Sequence, residues 1–168
     1  MYFGDNFDDV NNGIANTFYG NQLSTWIVVG FPIYPDPTGL IPGKTYYWRI
    51  NEVNDLHPDS PWKGDIWSFT IWPRTAFNPN PSNGAKFIDT NVTLSWSAGF
   101  GAKSHTIYFG DNFYDVNNGT GGTYKGLIED TIYIPSLLES NKTYYWRVDE
   151  FDGVLIHKGP IWSFTTGN

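Results

Sequence analysis

Three histidines, His57, His105 and His157, are the residues of this 168-residue chain best suited to acid–base work or metal ligation near neutral pH. They stand at non-equivalent places without metal-like spacing, and the chain has no cysteine to complete a zinc set or to attack as a thiolate. Arginine and glutamate recur together, Arg49 with Glu52 and Arg147 with Glu150. A solvated strand face with cross-strand ion pairs accounts for them without catalysis. The sequence contains no nucleophile elbow and no glycine-rich phosphate loop. The expectation is a protein with no enzyme active site and no cofactor.

Three further constellations carry possible chemistry. The run Asp5-Asn6-Phe7-Asp8-Asp9, followed by Asn11 and Asn12, offers oxygen ligands of the kind that suit Ca²⁺. Its spacing is not that of a calcium loop, and a turn capped by Asp or Asn side chains explains it more simply, so no metal is expected. Asn91, Asn118 and Asn141 each open an Asn-x-Thr sequon at a turn or strand start, where a glycan would be accommodated. The aromatics Trp26, Phe31, Tyr34, Trp62 and Trp72 have no partner at a matched position elsewhere in the chain. They fit contacts between domains or subunits, or stacking on sugar rings.

The elements that hold these residues are strands. Aromatic residues make up 18% of the chain and charged residues only 16%, with 18 Gly and 11 Pro, which reads as short strands joined by turns. A net charge of −7 opposes a nucleic-acid partner, which needs clustered Lys and Arg. The longest apolar stretch, residues 26–34, is too short to span a bilayer and contains Gly30 and Pro32, so no membrane insertion is expected.

The chain is an internal duplication. YFGDNFDDVNNG at residues 2–13 returns as YFGDNFYDVNNG at 108–119, KTYYWRI at 44–50 as KTYYWRV at 142–148, and KGDIWSFT at 63–70 as KGPIWSFT at 158–165. The first copy carries extra residues between Gly13 and Lys44, around Trp26 to Tyr34, and again at Leu56 to Trp62. Matched aromatics, Tyr46 with Tyr144, Trp48 with Trp146 and Trp67 with Trp162, recur at strand spacing and are expected in cores, together with Trp96. In the second copy, strands are expected near 85–87, 93–97, 105–109, 131–134, 143–150 and 161–165, with a compact turn at Val116. Such a set of short strands favours a sandwich.

The stretch Leu40-x-Pro42-Gly43-Lys44-x-Tyr46-x-Trp48-x-Ile50 resembles the Leu-x-Pro-Gly-Thr-x-Tyr-x-Val-x-Val signature of fibronectin type III modules. In the second copy Leu138, Tyr144, Trp146 and Val148 match, while Ser140-Asn141 replaces Pro-Gly. The order from YFG through TYYWR to WSFT resembles modules repeated in large secreted or surface-anchored bacterial proteins. That resemblance implies an all-β fold of two tandem fibronectin-III/Ig-like β-sandwiches in an extracellular or cell-surface setting. It leaves spacer, adhesive and binding roles open.

About thirty residues precede Tyr108 and supply two strands to the second copy, whereas only Met1 precedes Tyr2. The expected organisation is an incomplete first sandwich at 1–72, a proline-rich linker at 73–81 and a complete sandwich at 82–168. Two missing strands would remove about five core side chains at roughly 1.5–3 kcal/mol each. That is a loss of about 10 kcal/mol, comparable to the stability of a whole domain. Three readings remain open: strands lying upstream in a longer array, a strand donated by another copy, or the segment from Trp26 to Tyr34 folding back into the gap. The expected function is a non-enzymatic structural subunit that partners other copies of itself in a filament. The alternative is a spacer or carbohydrate-binding module of a larger secreted protein.

Overall fold

The computed structural model describes residues 1–30 and 39–168. They form two compact units, Met1–Trp72 and Pro73–Asn168. Both are built from strands apart from one six-residue helix each, so the architecture is all-β.

The second unit contains β6 (Phe77–Asn80), β7 (Ala85–Ile88), β8 (Leu94–Ser97), β9 (Ser104–Gly110), α2 (Phe113–Asn118), β10 (Tyr124–Ile128), β11 (Ile132–Tyr133), β12 (Thr143–Phe151), β13 (Ile156–His157) and β14 (Ile161–Thr166). One sheet runs β10-β9-β12-β14-β7 with β13 beside β12; the other runs β11-β8-β6. All pairings are antiparallel except β14 with β7. Leu94 and Trp96 from the smaller sheet meet Ile107, Phe109, Tyr144, Trp146, Val148, Trp162 and Phe164 from the larger. Trp146 lies fully buried between Trp96 and Trp162, at ring-centroid distances of 6.1 and 4.6 Å. Period-two alternation aims these side chains at one face, and burying each contributes about 1.5–3 kcal/mol.

The first unit contains β1 (Tyr2–Gly4), α1 (Phe7–Asn12), β2 (Thr45–Arg49), β3 (Asn51–Glu52), β4 (Trp62–Lys63) and β5 (Trp67–Thr70). Its sheet is β1-β2-β5, with β3 and β4 forming a two-stranded hairpin. Phe3, Tyr46, Trp48 and Phe69 repeat the core face of the second unit, but among the described residues no second sheet lies over them.

Three expectations change. The proline-rich 73–81 stretch is not a linker: Phe77–Asn80 pairs with β8, and the second unit begins at Pro73 rather than at residue 82. Where a compact turn was expected at Val116 there is a helix, repeated as α1. Asn6 and Asn112 cap these helices by accepting from Asp8 and Asp9 amides (2.9 and 3.1 Å) and from Tyr114 and Asp115 amides (2.9 and 3.2 Å). Gly13 and Gly119 close them, each at φ 69° in the left-handed region that glycine adopts without strain. The third concerns the residues thought to be inserted around Trp26. Counting on from Gly13 and Gly119, Thr25-Trp26-Ile27-Val28 stands where Thr131-Ile132-Tyr133-Ile134 stands in the second unit. Trp26 and Val28 are exposed and Ile27 packs on the core, as Ile132, Ile134 and Tyr133 do. This segment is the counterpart of β11.

Candidate functional site

Of the recurrent charged residues, Arg49, Arg147 and Glu150 are buried rather than on a solvated face, and only Glu52 is exposed. Arg49 and Arg147 are 4% and 3% exposed, each with its guanidinium 4.1 Å from the ring centroid of Tyr2 or Tyr108. Arg49 Nε donates to the Val10 carbonyl and an Arg147 terminal nitrogen to that of Val116, both at 2.8 Å, so each arginine ties its helix to the sheet. Strand alternation identifies the face, but only the short helix over it explains why a cation is buried there. The hydroxyls of Tyr46 and Tyr144 accept from the amides of Ile41 and Glu139, both at 3.0 Å, pinning the strand entry. Gly64 and Gly159 allow a close strand approach: an added Cβ would lie 2.0 Å from the Ile50 and Val148 carbonyl oxygens.

One pair escaped the sequence reading. His105 and Glu150, 4% and 0% exposed, meet across β9 and β12 through Nδ1 and Oε2, with the Trp96 ring edge-on to the imidazole at 5.6 Å. The Gly99 amide donates to Glu150 Oε1 at 3.4 Å. Burial pushes the Glu150 carboxyl above its ordinary range, opposed by His105. The pair is sealed from solvent and bridges β9 and β12. His157 instead faces Asp152, with Nε2 2.8 Å from Oδ2. His57 packs against Trp62 at 4.9 Å between ring centroids. Among the described residues no group of three or more His, Asp or Glu could hold a metal ion.

The site that stands out is the face of the first unit that no second sheet covers among the described residues. Trp67 is 50% exposed where its counterpart Trp162 is 6% exposed, which corrects its placing as a core residue. Trp48 is only half-buried where Trp146 is fully buried. A groove of about 890 Å³ runs over this face, lined by Phe3, Leu23, Trp26, Trp48, Trp67 and Phe69. Ile27 and Val29 also line it, and Asn51, Glu52 and Asp55 give it a polar, acidic rim. A smaller recess of about 430 Å³ adjoins it, with Tyr2, Phe18, Asn54 and His57 in its wall.

The other singled-out residues are scattered. Trp26 is 70% exposed at the groove, Trp62 is 43% exposed on the β3–β4 hairpin, and Trp72 is 63% exposed at the end of the first unit. Phe31 and Tyr34 lie outside the described residues. Asn91 and Asn141 are exposed in turns, and Asn118 is the exposed last residue of α2. Asn141 is held by a hydrogen bond from its Nδ2 to Asn168 Oδ1. No described helix is long and apolar enough to cross a membrane.

No protein-family model matches the chain, and no curated protein matches it. Among solved structures, domains d3-d4 of the rat CD45 extracellular region are similar at 11% identity, over 89% of this chain and 71% of that one, with a TM-score of 0.37. The α-L-rhamnosidase from Dictyoglumus thermophilum is similar at 16% identity over 55% of this chain, with a TM-score of 0.46. That likeness spans 12% of the rhamnosidase chain, and neither likeness bears on what this chain does.

Proposed function

We propose that the chain is a non-enzymatic, extracellular structural protein of two fibronectin-III-like units, which assembles head to tail into a filament when strands from another copy cover the open face of the first unit. The observation that carries this reading is the contrast at one position: Trp67 borders an apolar groove at 50% exposure while Trp162 is buried at 6%. An uncovered apolar sheet face invites association, and main-chain pairing with an added strand is a general way to satisfy it. Because the acceptor and donor surfaces differ, such a contact is heterologous and need not close, which makes a filament its natural product.

Electron microscopy and concentration-dependent sedimentation of the native protein test the proposal. Fibres, or a mass that climbs steadily with concentration, are expected; a monomer at all concentrations sinks self-assembly. A second reading, a spacer or carbohydrate-binding module of a larger secreted protein, draws on the exposure of Trp26 and Trp62 at 70% and 43%. It requires retention on polysaccharide that Trp26→Ala or Trp62→Ala abolishes.

A further inference from the structure

The second unit shows what lies over the residues that form the groove in the first. There, β8 pairs antiparallel with β11, Ser95 opposite Ile132 and Leu94 opposite Tyr133, and the Trp96 amide donates to the Thr131 carbonyl at 3.3 Å. Leu94 and Trp96 point inward, 0% and 5% exposed, with Trp96 against Trp146. Every acceptor of that arrangement has a counterpart in the first unit: Thr25 for Thr131, Trp26 for Ile132, Ile27 for Tyr133 and Trp48 for Trp146. Ile27 already packs on the core from the side that Tyr133 occupies. Trp26–Val29 carries no strand pairing among the described residues, and the groove of about 890 Å³ lies between this segment and the β1-β2-β5 sheet.

We infer that the groove of the first unit is a strand-acceptor site for an extended, uncharged segment with the Leu-x-Trp pattern of Thr93–Ser97. The segment lies antiparallel to Trp26–Val28, its Leu opposite Ile27 and its Trp seated on Trp48 and Trp67. Its Trp amide donates to the Thr25 carbonyl. The charge pattern agrees: residues 90–100 carry no charged side chain, so such a segment passes the rim of Glu52 and Asp55 without repulsion. The segment is additional to β8, whose own Leu94 and Trp96 are buried in the second core. The inference rests on the reading of the open face as a place of association, and it names what enters.

Hydrogen exchange on the full chain decides the matter, in two arms. In one, a synthetic peptide of residues 90–100 is added in excess; in the other, residues 73–106 of the same sequence are joined ahead of Met1, which raises the segment's effective concentration to about millimolar. Amides at 24–29 should exchange at least about tenfold more slowly in one arm or both, as unpaired backbone becomes paired. The same segments carrying Leu94→Asp and Trp96→Asp should give no protection. Protection in neither arm, or equal protection by the Asp-bearing segments, overturns the inference. Protection without fibres removes self-assembly and leaves the acceptor site standing. Fibres in which 24–29 still exchange freely leave the filament standing and remove the acceptor site.

Discussion

The two units carry nearly the same three sequence blocks and differ in how much of the fold surrounds them. In both, the arginine corner, the tyrosine at the strand entry and the capped helix recur with nearly the same geometry. What differs is the covering layer: β11-β8-β6 closes the second core, while Trp48, Trp67 and Phe69 border a groove in the first. Identical side chains thus hold different energetic positions. Local wiring is a property of the blocks, whereas burial is a property of the opposing sheet.

Matched substitutions should expose this. Trp162→Ala removes a buried indole and should cost about 3–5 kcal/mol in the unfolding of the second unit. Trp67→Ala, at a half-exposed position, should cost about 1 kcal/mol in the first. Equal losses by denaturant titration would mean that the first face is covered after all. A second contrast lies between Glu150 in β12 and Glu52 in β3. Glu150→Ala leaves His105 buried beside a cavity and should cost about 3 kcal/mol. Glu52 is exposed, and Glu52→Ala should change stability by less than about 0.5 kcal/mol.

The core face of both units was legible in the sequence because Tyr144, Trp146 and Val148 alternate and their partners recur in Tyr46, Trp48 and Ile50. Burial of Arg147 was not, because alternation places it opposite Trp146 without revealing that α2 roofs that second face. β6 was hidden by Pro79, which is tolerated at its edge position beside β8. Trp26–Val28 was read as an insertion because it shares only Thr25 by identity with residues 131–134; its kinship with β11 lies in the alternation of exposure. The His105–Glu150 pair depends on register between β9 and β12, which no local pattern encodes.

The shared corner predicts agreement instead of contrast. Arg147→Ala and Arg49→Ala each remove charge-assisted bonds to helix carbonyls and should cost about 2 kcal/mol in their own unit. In the second unit Arg147 also meets Asp149, with a terminal nitrogen donating to Oδ2 at 3.0 Å; in the first the partner is Asn51, reached at 2.7 Å. A loss confined to the second unit would show that the ion pair, and not the carbonyl contacts, holds the corner.

The smallest effect separates the two hairpins by pH. Asp152 accepts from His157 and from the Val154 and Leu155 amides (2.9 and 2.8 Å), and the His157 bond foremost holds its carboxyl well below the usual carboxylate range. Asn54 stands at the matching place in the first unit, accepting from the Leu56 amide at 3.0 Å, and does not titrate. An acid with a lowered folded pKa contributes stability above its unfolded value, about 3.9, and loses it as pH falls through the folded value. The difference in melting temperature of the second unit between the parent chain and Asp152→Asn should therefore be greatest above about pH 5 and shrink as pH falls below about 4. The first unit's transition should show no such narrowing. A difference that stays constant with pH would assign the hairpin's stability to its backbone turn, because an uncharged Asn would then serve as well in the second unit as Asn54 does in the first.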